Sequence, residues 1–479
     1  MNIGSEMQEI SSNNKRIAKN TLLLYFRMLV TMAVSLYTSR VVLNILGVED
    51  FGIYNVVGGI VAMFGFINGS MTSATQRYLT FELGQNNRAQ LTKVFSTSLS
   101  IHGIISFLII VLAETVGLWF LWNKMQIPAD RMNAAFWVFQ CSVAASVIMI
   151  MSVPYNAAII AHERMSAFAY ISIIEVSLKL LIVCFLRYFH TDKLILYAAL
   201  IVIVQFLIRL CYSWYCNRHF NETKYRWSWD KGLFKEMTGF ASWNMFGSLA
   251  AITFTQGLNL LLNMFFGPVV NAARGIAVQA QTAIGQFSSN FQTALNPQIT
   301  KSYATGDMEY MHGLIFRSAK FSFFLLLLLS LPVLIETKAI LTLWLKIVPD
   351  HTVVFLRIML CTTWVYAVSN PLITAASATG KIKLYQSVVG GLLLLILPIS
   401  YLCLRFGLPA YSVFIVHLVI EITAQFARLL MLRRMIRLSL REYFAKVIWS
   451  ISKVTAIALA APLAVAYWQP GEGIWNLLT

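Results

Sequence analysis

Residues 151–164 read MSVPYNAAIIAHER, and residues 368–381 read VSNPLITAASATGK. Set one above the other, Pro154 meets Pro371, Ala158 meets Ala375, Ala161 meets Ala378 and Arg164 meets Lys381. The register extends in both directions with small changes of offset. Upstream, Gly47 falls on Gly267, Gly65 on Gly285, Ala74 on Ala294, Thr80 on Thr300 and Ser98 on Ser318. Downstream, Arg209-Leu210 meets Arg428-Leu429, and Arg218 meets Arg437. The identities are sparse but keep their order, which implies two like halves. In a hydrophobic chain this is the plan of a transporter, with the substrate path between the repeats.

Composition supports that plan. Of 479 residues, 58% are hydrophobic and 12% charged, with mean hydropathy +0.69. Soluble domains carry about 25% charged residues. This chain lacks the polar side chains to cover a water-facing surface, so lipid is its expected solvent. Apolar runs of about 20 residues recur along its length, enough for membrane-spanning helices. The alternating pattern of a membrane barrel is missing.

Twelve core helices are expected at 20–46, 53–81, 94–122, 132–160, 166–190, 194–217, 236–265, 270–298, 313–337, 351–378, 384–405 and 409–432, with a thirteenth at 445–468. The predicted organisation is an N-terminal lobe at 1–218, a cytoplasmic linker at 219–235, a C-terminal lobe at 236–436, and an additional transmembrane helix and tail at 437–479. With an even number of core helices, both halves start on the same side, so the repeat is read as parallel.

The net charge of +17 would suggest nucleic acid in a soluble protein. Here the bases crowd alternate helix ends, among them Lys15, Arg16, Lys19, Arg88, Lys93, Arg218, Lys235, Lys381, Arg433, Arg434 and Arg441. The intervening loops are poorer in them. This is the positive-inside pattern, and it places the N-terminus in the cytoplasm. No nucleic-acid partner is expected. The six cysteines lie in apolar spans without a CxxC pair, so neither a disulfide frame nor a metal site is expected. The polar start and the long first apolar run read as a retained helix rather than a cleaved signal.

Charges inside spans are the sharpest functional signal, because burying one in hydrocarbon is costly unless it meets a partner or water. Arg27 and Arg40 lie thirteen residues apart on the first predicted helix, on different faces. Arg77 closes the second and Arg274 opens the eighth. A cationic cavity for an anionic head group is one reading, with guanidinium forks on phosphate oxygens. Snorkelling to membrane phosphates is the other. Asn44, Asn263 and Gln279 belong to a set of amides on the helices expected to line the cleft. Five such amides fall on the eighth helix alone, from Gln279 to Gln292. They suit sugar hydroxyls, or equally hydrogen bonds between helices.

Glu175 and Lys179 stand four residues apart near the middle of the fifth helix, in the order that favours an ion pair. His417, Glu421, Gln425 and Arg428 form one stripe on the twelfth. Glu175, Lys179, His417 and Glu421 are therefore candidates for coupling to H+ or Na+, and equally for an internal polar network. Enzyme motifs are missing: no Walker A, HExxH or GxSxG sequence occurs. Glu49-Asp50 has neither DxD nor ExD spacing and reads as a turn before Gly52. The chain is not expected to be an enzyme.

Residues 20–81 resemble the start of bacterial polysaccharide-export flippases. The resemblance rests on Thr38-Ser39-Arg40-Val41-Val42-Leu43-Asn44, on Leu46-Gly47-Val48-Glu49-Asp50-Phe51-Gly52-Ile53-Tyr54, and on Thr75-Gln76-Arg77. The family is that of the Wzx-type O-antigen transporters, within the multidrug/oligosaccharidyl-lipid/polysaccharide (MOP) superfamily. The resemblance implies an all-α integral membrane protein of two six-helix bundles in a V-shaped, MATE-like arrangement, plus the extra C-terminal helix. It further implies a bacterial inner-membrane flippase for undecaprenyl-pyrophosphate-linked oligosaccharides, working beside a polysaccharide polymerase and glycosyltransferases and among membrane lipids. Related lipid II flippases use arginines on the first, second and eighth helices, where Arg27, Arg77 and Arg274 stand here. A cation-coupled drug antiporter of the same fold is the alternative, and a membrane-embedded glycan polymerase or glycosyltransferase a more distant one.

Overall fold

A computed structural model describes residues 3–62, 65–125, 127–186, 188–189, 191–225, 230–345 and 348–468. Among them no strand occurs. The helices are α1 (Ile3–Ala62), α2 (Gly65–Gly84), α3 (Arg88–Leu112), α4 (Leu118–Asn123), α5 (Met132–Ala161), α6 (Met165–Leu186), α7 (Lys193–His219) and α8 (Lys231–Phe266). They continue with α9 (Pro268–Thr305), α10 (Met308–Ile335), α11 (Thr337–Leu345), α12 (Thr352–Ala378), α13 (Lys383–Leu394), α14 (Ile396–Arg405), α15 (Ser412–Met435), α16 (Leu440–Tyr443) and α17 (Trp449–Trp468). Each of the thirteen expected spans falls mainly on helix; the fifth ends early, with α6 closing at Leu186, and residues 63, 64, 187 and 190 of the second and fifth spans lie outside the described residues. The chain divides into two compact units, Met1–Ser242 and Trp243–Thr479, and the division lies within α8. The end of the expected C-terminal tail, beyond Trp468, lies outside the described residues.

Eleven of the described helical stretches are long and apolar enough to cross a membrane. The exceptions among the expected spans are the second and eighth, represented by α2 and α9. These are the same position in the two halves, and both are rich in amide and hydroxyl side chains.

The repeat is visible in the backbone. Gly47 breaks α1 with φ 82° and ψ 170°. Gly267, its counterpart, separates α8 from α9 with φ 78° and ψ −173°. This region of backbone space is essentially restricted to glycine. Asn86 (φ 54°) corresponds to Gly306 (φ 78°), and Glu163 (φ 59°) to Gly380 (φ 74°). Caps repeat as well. The Asn87 side chain accepts from the Gln90 amide at 3.1 Å and starts α3; the Asp307 side chain accepts from the Tyr310 amide at 3.0 Å and starts α10. Each satisfies one of the orphan donors of a helix start.

The quoted stretches form the packing centre of their units. In the first unit α5 packs against α1, α2, α3 and α7; in the second α12 packs against α9, α10 and α15. Pro154 and Pro371 lie inside these helices. Ala157, Ala158 and Ala161, and likewise Ala375, Ala376 and Ala378, are at most 2% exposed. In lipid, apolar burial between helices gains little, so association rests on close packing and interhelical hydrogen bonds. Small side chains permit that closeness, which explains why they survive in an otherwise diverged repeat.

Glu49 and Asp50 are not in a turn. Past the break at Gly47 the chain resumes helix, and Asp50 sits in its first turn. Its carboxylate takes two bonds from Arg131, at 2.8 and 2.6 Å. Arg131 also donates to Asp192, at 2.8 and 3.3 Å. Asp192 in turn caps α7. One guanidinium therefore fastens α1, the start of α5 and the start of α7. Burial favours the neutral Asp192 carboxyl, but hydrogen bonds from Arg131 and from the Ile195 and Leu194 amides outweigh it and hold the group below its usual range.

Candidate functional site

The second unit holds a partly open cavity of about 350 Å³ lined from α8, α9, α10, α12, α13 and α15. Its wall is mixed. Phe254, Leu326 and Leu393 supply apolar surface; Gln281, Gln286, Thr363 and Asn370 supply neutral hydrogen-bonding groups; His417, Glu421 and Arg428 supply the titratable side.

The stripe on α15 is brought together as its spacing requires. Arg428 donates to Glu421 at 2.7 Å, with the two side chains 3% and 5% exposed. The same Nη1 reaches Ser369 Oγ on α12 at 3.1 Å. Ser369 donates to Gln425 Oε1 at 2.6 Å, Gln425 Nε2 donates to the Tyr443 hydroxyl at 3.3 Å, and that hydroxyl donates to the Val368 carbonyl at 3.4 Å. The chain of bonds ties α12, α15 and α16. His417 stands against Phe254, ring centroids 4.8 Å apart. Glu421, Gln425 and Arg428 form an internal network, and His417, Glu421 and Arg428 line the cavity wall.

The amides of α9 divide similarly. Gln281 donates to the Met359 carbonyl at 3.1 Å and to Thr363 Oγ1 at 2.8 Å while lining the cavity. Gln292 is buried against α10, donating to Ser322 and accepting from Ser318 at 3.0 Å. Gln279 is exposed and does not line the cavity. Asn263 is exposed near the end of α8.

Arg274 is 6% exposed. Its Nη2 donates to the Thr255 carbonyl at 2.9 Å and its Nη1 to Asn259 Oδ1, both on α8. No carboxylate pairs with it among the described residues, and its Nε finds no protein acceptor. This is a buried cation held by neutral acceptors alone.

The remaining candidates belong to the first unit. The Arg27 guanidinium lies 4.6 Å from the centre of the Phe168 ring. Arg77 stacks over Tyr78 at 4.5 Å and Phe81 at 4.7 Å, in a group where Tyr78 donates to Glu236 at 3.0 Å. The two arginines thus have different aromatic neighbours. Arg40 and Asn44 are exposed on α1. Lys179 pairs with Glu175 at 2.6 Å, and Gln205 donates to the same carboxylate oxygen at 3.2 Å. Among the described residues no cluster has the makeup of a metal site.

The sequence did not single out Thr363, Tyr366, Ser369 or Asn370 of α12. Thr363, Tyr366 and Asn370 recur at intervals of three and four residues and line the cavity, while Ser369, next to Asn370, turns to Gln425 and Arg428.

Comparison with known proteins places this geometry. No curated protein matches the chain. Solved structures do. A point mutant of a MATE protein superimposes with TM-score 0.78 at 12% identity, covering 89% of this chain and 96% of that one. An outward-facing multidrug resistance MATE family transporter of the MOP superfamily gives 0.76 at 13%, with the same coverage. A MOP superfamily transporter from Pyrococcus furiosus, described as having a binding pocket of reverse polarity, gives 0.71 at 14%, again over 89% and 96%. The likeness establishes the fold. The model of one family, described as polysaccharide biosynthesis protein, matches residues 17–303. The resemblance read from residues 20–81 is borne out: this is a multi-pass membrane protein with the MATE transporter fold, and it belongs to the polysaccharide biosynthesis protein family.

Proposed function

We propose that the protein is a flippase, carrying undecaprenyl-pyrophosphate-linked oligosaccharide repeat units across the bacterial inner membrane for O-antigen or capsule assembly. The observation that carries this reading is Arg274. Burying a cation without an acid partner is costly, and a site that is built at such cost suits an anionic ligand. The cavity of the second unit supports the same direction. Among its described lining residues Glu421 is the one carboxylate, and Arg428 neutralises it. A drug–cation antiporter would need uncompensated negative charge there. Gln286 and Asn370 offer sugar hydroxyls both donors and acceptors, and Gln281, whose two N–H groups are committed to Met359 and Thr363, offers its acceptor oxygen.

In this reading Arg27 and Arg77 of the first unit and Arg274 of the second are the residues assigned to pyrophosphate, and Arg40, Asn44, Asn263 and Gln279 those assigned to the glycan. His417 and Glu421, with Glu175 and Lys179, are the groups assigned to coupling with H+ or Na+. A polymerase and glycosyltransferases of the same pathway are the expected partners, with the N-terminus in the cytoplasm.

The test is a strain lacking the gene. Lipid-linked repeat units should accumulate on the cytoplasmic leaflet while surface polysaccharide disappears. Normal surface glycan together with new sensitivity to cationic dyes would reject the flippase and favour the antiporter.

A further inference from the structure

A second cavity, of about 480 Å³, lies elsewhere in the same unit, between α10 and the stretch that leads into α17. Phe316, Arg317 and Lys320 face it from α10; Lys446, Trp449 and Lys453 face it from the other side. Four cations therefore share one small hollow. Among the described residues, the carboxylate found paired with one of them is Glu442, which bonds Lys446 at 2.6 Å and is 52% exposed. Aromatic rings stand beside the charges: Lys453 lies 5.0 Å from the Trp449 ring, Lys446 5.9 Å from Phe316, and Arg317 6.0 Å from Tyr310. The backbone on the α17 side is a π-helical turn, Phe444–Ile448, a geometry frequent at functional sites, although a second such turn, Ala113–Gly117, occurs in the first unit.

The position of the cations on their helices decides the ligand. Lys320 is followed by the apolar run FSFFLLLLL at 321–329, and Lys453 by VTAIALA at 454–460. On both helices the charges stand just before the hydrocarbon-facing segment. Phe321 (57% exposed), Leu328 (72%), Val454 and Ile457 (73%) form open apolar surface on those segments. A free inorganic anion would use the charges and leave that surface unexplained. An anionic phospholipid uses both, phosphate among the four cations and acyl chains along the two helices.

We propose that this hollow is a binding site for a resident anionic phospholipid, distinct from the transported substrate. The site clamps the extra C-terminal helix to α10. It also borders Tyr443, whose ring stands 5.9 Å from Phe316 and whose hydroxyl ends the bond chain from Glu421.

The test uses the full chain, purified in mild detergent, reloaded with phosphatidylglycerol or phosphatidylcholine and weighed by native mass spectrometry. Phosphatidylglycerol should remain bound after detergent washing and phosphatidylcholine should not. Each neutralised cation should lower retention about fivefold, so R317Q/K320Q falls about 25-fold. Should that variant misfold, K453Q at an exposed position should still show the single step. R433Q/R434Q, basic residues of α15 outside the hollow, should retain lipid like the wild type. Equal retention of phosphatidylcholine, equal loss in R433Q/R434Q, or no change in K453Q would overturn the site. Displacement of the lipid by millimolar inorganic phosphate or pyrophosphate would overturn it too, leaving a plain anion site.

Discussion

Gly47 and Gly267 hold the same backbone conformation in the two halves, with φ 82° and 78° and ψ on either side of 180°. In each half this glycine ends one long helix and starts the next. An added Cβ would meet nothing within 4 Å at either position. The requirement for glycine is therefore conformational rather than steric crowding. Gly47→Ala and Gly267→Ala should each destabilise by about 1–3 kcal/mol. Gly103, in the body of α3, also has open space but ordinary helical backbone. Gly103→Ala should stabilise by about 0.5–1 kcal/mol. Melting temperatures of the three purified variants decide the matter, and a neutral Gly47→Ala would refute the backbone argument.

The Arg131 clamp makes a second prediction, about acid. Its side chain is 23% exposed and those of Asp50 and Asp192 are 19% and 31%, so the network is partly screened. Arg131→Gln should cost about 1–2 kcal/mol, between an exposed pair and a buried one. The sign with pH follows from Asp192. Its folded pKa is held below the ordinary value of 3.8. Its contribution is thus complete above the unfolded value and is lost as pH falls through the folded one. The wild-type melting temperature should be insensitive to this group from about pH 7 down to about pH 5 and fall below about pH 4. Arg131→Gln should melt lower at about pH 7 and show a shallower acid decline. An unchanged decline would remove the clamp as its cause.

The clamp also marks the limit of reading from sequence. The two halves, the helices and the thirteenth span were legible because periodic apolar runs and repeated Pro, Gly and Ala report local constraints. Asp50, Arg131 and Asp192 were not, since the bonds join residues 81 and 61 apart in the chain. Nothing local distinguishes such a carboxylate from one in a solvated turn. The amides of α9 show the same limit at finer scale. That the helix was too polar to face lipid was plain from composition. Which amide served a neighbour and which the cavity depended on the rotational setting of α9 against α10 and α12, and that is a property of packing. Gln292 became an interhelical bond, Gln281 both a bond and a wall, and Gln279 neither.

Glu421 and Arg428 test how a buried pair behaves when half of it is removed. Both are at most 5% exposed, and each would leave the other charged and unmatched. Glu421→Gln or Arg428→Gln alone should destabilise by about 3–5 kcal/mol. The double variant E421Q/R428Q keeps hydrogen-bonding side chains for Ser369 and should lose clearly less than the sum. The measure is a double-mutant cycle of thermal unfolding in detergent. Additive losses would mean that the pair does not function as one unit. Transport by the double variant then bears on coupling: if Glu421 takes up the driving ion, flipping should fail even where the fold is restored.

Arg274 sets stability against function. It makes two bonds to α8 but has no acid partner among the described residues, and its burial carries a desolvation cost. Arg274→Gln should therefore unfold within about 1–2 kcal/mol of the wild type. Flipping should fall much further. Losing a charge-assisted contact to phosphate costs about 1.5–3 kcal/mol, or roughly 10- to 100-fold in binding. Asn259→Ala releases one arm of the guanidinium without changing its charge. A residue that serves only to join α8 to α9 would make Asn259→Ala and Arg274→Gln alike, both mildly unstable and both active. A phosphate-binding residue would make them differ, with flipping retained in Asn259→Ala and lost in Arg274→Gln. The assay is translocation of labelled lipid-linked oligosaccharide in proteoliposomes at matched protein levels. Full activity in Arg274→Gln would take away the observation on which the proposed function rests.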